Sequence, residues 1–192
     1  MKKLFLLTAA LAIVFANVVL ACPPGWTEYP EVETITVGNC SYQFIYCYGI
    51  VNGLHSVSIS QIAVISPCTG EDFDQDAQKV TDAILIKIAT TPFITEWAGY
   101  ETIPVCPGDL MCLLRMYDAI CYDGWVATSS LDPLGTDFPV QVMNKCDESE
   151  RCCNETVTIC YDEINNEYVI TRLGGGMMGP DCKEPCHTNC EY

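Results

Sequence analysis

From Cys40 onward the chain alternates. Cys40, Tyr42, Phe44, Tyr46 and Tyr48 fall on one side of an extended backbone, with Ser41, Gln43, Ile45 and Cys47 on the other. Asn52-Gly53 follows, a pair that readily supplies the positive φ angles of a tight hairpin turn. Two later stretches repeat the theme: Cys121-Tyr122 leads into Asp123-Gly124, and Cys160-Tyr161 leads towards Asn165-Asn166. Each is preceded by β-branched, aromatic or other apolar residues, so the pattern predicts three β-hairpins.

The cysteines keep step with these hairpins. They form the sets Cys40, Cys47 and Cys68; Cys112, Cys121 and Cys146; and Cys153, Cys160 and Cys182. Upstream, Glu-Thr-Ile-Thr-Val at 33–37 returns as Glu-Thr-Ile-Pro-Val at 101–105. Self-similarity of this kind predicts duplicated units, at about 28–68, 101–146 and 147–182.

Strand period then assigns faces. In the third unit Cys153, Val157, Ile159 and Tyr161 share a side, opposite Thr156, Thr158 and Cys160. In the second, Cys112, Leu114, Met116, Ile120 and Tyr122 align. The second cysteine of each unit therefore points away from the apolar face. Its nearest candidate partner is the cysteine that closes the same unit, which predicts the bridges Cys47–Cys68, Cys121–Cys146 and Cys160–Cys182. A bulge beside a Cys-Tyr pair would defeat this inference.

Between the first two units the period changes. Ala77, Val80, Ile84 and Ile88 recur at helical spacing, Thr69 or Asp72 can cap the start, and Pro92 is a stop. The pattern predicts one helix over about 74–90, within an insertion at about 69–98. Residues 109–120 read equally as helix or strand, and only the repeat argues for strand. The tail at 183–192, with its closely spaced cysteines, reads as a loop held by bridges. The expected fold is mainly β with one inserted helix, built from three disulfide-stapled hairpin repeats packed into a sheet or sandwich over 22–182.

The beginning of the chain supplies an address. Lys2 and Lys3 precede an almost wholly apolar run from Leu4 to Leu20, and Ala21 closes a small-residue cleavage site. This predicts a secretory signal peptide over 1–21 and no transmembrane segment in the mature chain. The dilysine start resembles bacterial signals, and Val-Leu-Ala-Cys resembles a lipoprotein signal, which makes Cys22 a lipidation candidate. Fourteen cysteines in an exported chain read as disulfides rather than thiols.

Charge narrows the partners. The chain carries 25 acidic and 9 basic residues, two of the latter in the signal. Phosphate backbones need a basic footprint, so nucleic acid is excluded as a partner.

Candidate chemistry is sparse. Asp72, Asp74 and Asp76 alternate like the opening of a calcium loop, but Ala77 and Ala83 stand where such a loop needs Gly and Glu. They suit a helix N-terminus better and leave weak calcium binding as the only cofactor expectation. Cys182, Cys186, His187 and Cys190 have ligand chemistry without zinc-finger spacing. The histidines, His55 and His187, adjoin no recognisable nucleophile motif. Trp26, Trp97 and Trp125 read either as binding platforms or as hairpin packing. No catalytic residue or metal centre is assigned. The reading is a non-catalytic, exported, disulfide-stabilised structural or binding module of the bacterial cell envelope or extracellular space. Its partner would be an unidentified protein or glycan. A carboxylate-dependent hydrolase and a cation-dependent adhesin are the alternatives.

Overall fold

The structure, a computed structural model, describes residues 22, 24–108, 112–117, 122–128, 131, 139–145 and 152–178. The alternating run beginning at Cys40 is strand β3 (Cys40–Val51), and it turns at Asn52-Gly53 into β4 (Leu54–Ile65). Asn52 and Gly53 adopt φ of 53° and 78°, the left-handed pair that matches strand twist. One bulge interrupts the hairpin. Ile45 faces Gln61 and Tyr46 faces Ile59, so Ser60 is left over, and its hydroxyl donates to the Ile45 carbonyl at 3.1 Å. The bulge shifts the parity of β4. Ile62 and Val64 therefore share a side with Val57 and Ile59, and all four join Tyr42, Phe44 and Tyr46 in the core.

Both hairpin strands are long enough to pair twice along their outer edges. On β3 the partners are β1 (Thr27–Glu28) and β2 (Glu33–Val37), both antiparallel. Along β4 lie β5 (Cys112–Tyr117), parallel, and β7 (Val140–Lys145), antiparallel. From β5 the sheet continues antiparallel to β8 (Cys152–Asp162) and β9 (Glu167–Met178); from β7 it continues to β6 (Tyr122–Thr128). The result is a mixed sheet, mainly antiparallel, with β9 at one end.

One face of this sheet is covered by helix α1 (Gly70–Ala89). The helix begins four positions before the sequence-based estimate because the Asp72 carboxylate accepts a hydrogen bond from the Thr69 backbone N–H at 2.7 Å, closing a capping box. Its buried stripe of Phe73, Val80, Ile84, Leu85 and Ile88 packs on the sheet residues above and on Leu114, Val157 and Ile159. Each such side chain contributes about 1.5–3 kcal/mol on burial. Gly70 is required at the junction: a Cβ there would stand 2.1 Å from the Trp125 ring. Its N–H donates to Gln141 Oε1 at 2.7 Å, anchoring the helix start to β7.

Three sequence-based expectations change. Pro92 ends α1, as expected, but also opens a second helix, α2 (Pro92–Trp97), because its fixed φ suits a first helical turn. The insertion thus holds two helices rather than one. Asp123-Gly124 does not turn the chain; both residues lie inside β6, which is irregular between Tyr122 and Trp125 and pairs with β7. Residues 112–117 are a strand, yet β5 pairs with β4 and β8 rather than with β6. Among the described residues the first and third units turn after their Cys-Tyr strand as expected, whereas the antiparallel pair of the second is β6 with β7, so three copies of one hairpin are not seen.

Candidate functional site

Three disulfides are described: Cys22–Cys47, Cys40–Cys68 and Cys106–Cys160, with Cα separations of 5.8, 5.6 and 5.3 Å. They correct two of the predicted pairs, Cys47–Cys68 and Cys160–Cys182. Antiparallel geometry gives the reason. The end of β4 returns to the start of β3, where Ile65 pairs with Ser41, so Cys68 meets Cys40. Cys47 lies opposite Ser58, ten positions before Cys68, or about 30 Å along an extended chain. Cys121, Cys146 and Cys182 lie outside the described residues.

The face assignment that prompted those pairs nevertheless holds for two units. Cys47 and Cys160 alternate with core residues, Tyr46 and Ile159 respectively, and point to the opposite side. Each bonds to an upstream segment lying beside its own strand. Glu28 and Thr27 pair with Cys47 and Tyr48, and Val105 bridges Tyr161. The Cys22 sulfur is bonded to Cys47. A lipoprotein thioether would use that same sulfur, so bridge and anchor exclude one another.

The second of these staples builds a cleft. Cys106–Cys160 pins residues 101–106 along the end of β8, helped by Tyr161 N–H donating to the Pro104 carbonyl at 2.8 Å and Cys106 N–H donating to the Tyr161 carbonyl at 2.9 Å. Glu101, Thr102 and Ile103 thereby become one wall. Thr90, Pro92 and Thr95, from the corner between α1 and α2, line the cleft as well. Tyr161 and Tyr168 complete it from the two strands of the outer hairpin, their ring centres 5.1 Å apart. The cleft is open to solvent and has a volume of about 320 Å³, at the small end of ligand sites.

Hydrogen bonding fixes what the cleft offers. The Thr90 hydroxyl donates to the Ile86 carbonyl at 2.8 Å, and that of Thr95 donates to the Ala89 carbonyl at 2.7 Å. The Tyr161 hydroxyl bonds to Asn166 Oδ1. Beyond it, the loop is held by Asp162, whose carboxylate accepts from the Ile164 and Asn165 backbone and from the Asn165 side chain. The Asn165 side chain, then these backbone N–H groups, hold the Asp162 carboxyl below its ordinary value.

The other residues singled out in the sequence lie elsewhere. Asp72 caps α1 and Asp76 pairs with Lys79, while Asp74 is exposed on the same helix. Among the described residues, the group of three metal-ligating side chains with donor atoms within 4.8 Å of one another is Cys40, Cys68 and Asp72, not the three aspartates. Its two sulfurs are already bonded to each other. His55 packs edge-on against Trp97 with ring centres 4.6 Å apart, and Trp97 contacts Tyr48 in the same way at 5.3 Å. Trp26 covers Gly49 and Trp125 packs on Phe73. Trp26 and Trp97 are thus packing residues of the first hairpin and Trp125 is one of α1, and His187, Cys186 and Cys190 lie outside the described residues. Sequence reasoning missed the cleft. Its only local signal was the spacing of Tyr161 and Tyr168 across a hairpin loop, since its other walls come from residues 58–71 positions earlier in the chain. No family model matches the chain, and comparison with curated proteins and with solved structures finds no match.

Proposed function

We propose that the chain is an exported binding module of the bacterial cell envelope or extracellular space, with the tyrosine cleft as its recognition surface and no turnover of what it binds. The observation that carries this reading is the Cys106–Cys160 bridge. It fixes one cleft wall from outside the ladder of paired strands, so the recognition surface is preorganised by a bond that persists in an oxidising compartment. Among the described residues no helix is long and apolar enough to cross a membrane. Cleavage after Ala21 would free Cys22 for its bond to Cys47.

Two measurements test the proposal. Intact mass and non-reducing peptide mapping of exported protein should show a chain beginning at Cys22, with Cys22–Cys47 and Cys106–Cys160 bridged. A product retaining Lys2 and Lys3, or a diacylglycerol on Cys22, overturns the proposed mature form. A panel of neutral sugars, amines and short peptides, followed by the ring resonances of Tyr161 and Tyr168, should contain a ligand that shifts both. Silence towards the whole panel sinks the recognition surface, and turnover of a panel member sinks the non-catalytic reading.

A further inference from the structure

The cleft narrows its own ligand. Thr90 and Thr95 have committed their hydroxyl hydrogens to helix carbonyls, so their hydroxyl oxygens can serve only as acceptors. Glu101 adds a carboxylate, which can only accept while ionised. Among the described residues none that lines the cleft is basic, and Lys87, one turn before Thr90 on α1, is bound to Glu33 at 3.1 Å. The remaining surface is aromatic or aliphatic, chiefly Tyr161, Tyr168, Pro92 and Ile103. Among the described residues a carboxylate or phosphate would meet the Glu101 carboxylate and no cation.

We propose that the ligand group is an organic ammonium, seated against Tyr161 and Tyr168 with Glu101 as its counter-charge; this rests on the cleft being the recognition surface. Tyrosine faces attract cations through their quadrupole, and an alkylated ammonium also buries its carbons against the ring, Pro92 and Ile103. The protein's formal charge of −16 draws cations towards the surface as a whole, whereas the tyrosines select organic ones. The ammonium arrives either on a small molecule or on the side chain of a lysine-containing peptide, since both present the same chemistry.

The test uses the full disulfide-bonded chain and three probes: choline, its uncharged carbon isostere 3,3-dimethylbutan-1-ol, and an acetylated, amidated peptide containing trimethyl-lysine. Choline or the peptide should shift the Tyr161 and Tyr168 resonances, with the isostere bound about tenfold more weakly. Whichever cationic probe binds tighter identifies the source. Glu101→Gln should weaken the cationic probes several-fold and leave the isostere unchanged, and Tyr168→Ala should abolish binding of all three. Equal affinity for choline and its isostere overturns the proposal, as does cation binding that survives Tyr168→Ala in a chain whose spectrum shows it folded. Ring shifts produced by neutral sugars but by neither cation overturn the ammonium assignment while leaving the recognition surface standing. Ring shifts produced by nothing overturn both.

Discussion

Tyr48 and Tyr161 both follow a cysteine, both lie on the core-facing side of a hairpin strand, and both sit beside a segment stapled through that cysteine. Their surroundings differ. Tyr48 lies under α2, wedged edge-on between Phe93 at 5.2 Å and Trp97 at 5.3 Å. Tyr161 is not packed beneath α2: its ring is tilted by 55° against that of Tyr168, and it lines the cleft beside the corner between α1 and α2. The same dipeptide on the same kind of strand thus becomes packing in one hairpin and a binding wall in the other. What separates them is position in the sheet. The first hairpin is central and roofed by helices, and the second is an edge whose lid stops short.

The largest effect should come from the staples. In the chain-entropy picture a bridge contributes more when it closes a longer loop. Cys106–Cys160 spans 54 residues and Cys22–Cys47 spans 25. Replacing both cysteines of the longer loop by serine should cost about 4 kcal/mol, against about 3.5 kcal/mol for the shorter one. Denaturant unfolding of the two double variants measures this. The sharper comparison is in binding: loss of Cys106–Cys160 should abolish shifts at Tyr161, and loss of Cys22–Cys47 should not.

Next come the tyrosines themselves. Tyr48→Ala removes a ring from an aromatic stack and should cost about 2–3 kcal/mol with ligand affinity intact. Tyr161→Ala removes an edge ring and should cost less than half as much stability while losing the ligand. If the two variants exchange these phenotypes, the contrast between roofed and open hairpins is wrong.

The turns give smaller differences. Gly53→Ala forces a side chain onto a residue at φ 78° and should cost about 1 kcal/mol. The outer loop depends instead on Asp162, whose hydrogen bonds lower its folded pKa relative to the unfolded chain. Its contribution is therefore present above the unfolded value of about 3.9 and is lost as pH falls through the folded one. Hydrogen exchange should show the β8–β9 loop loosening below about pH 4 before the Asn52-Gly53 turn does, and Asp162→Asn should remove that acid-dependent loosening.

The first hairpin was legible almost completely, because every signal that makes it is local. Alternation from Cys40 to Tyr48 names its two faces, and Asn52-Gly53 names its turn. The helix was legible for the same reason, at Val80, Ile84 and Ile88. Asp123-Gly124 misled because that dipeptide permits a positive φ without requiring a reversal. Gly124 spends its φ of 132° on an irregularity inside β6. The cleft was not legible, since Thr90, Glu101 and Tyr161 become neighbours only when residues 101–106 dock beside β8.

By itself the sequence determined which residues of the first and third Cys-Tyr strands share a side, and so that Cys47 and Cys160 point away from the face on which Tyr46 and Ile159 pack. A period of two is built into every extended backbone, whatever packs against it. Only the tertiary structure decided where those cysteines go. A disulfide requires two Cα atoms within about 7 Å, and that proximity belongs to the sheet order, with Cys22 beside β3 and Cys106 beside β8. It likewise decided that one Cys-Tyr strand is roofed by α2 and the other left open, because a six-residue helix covers only the hairpin it lies on.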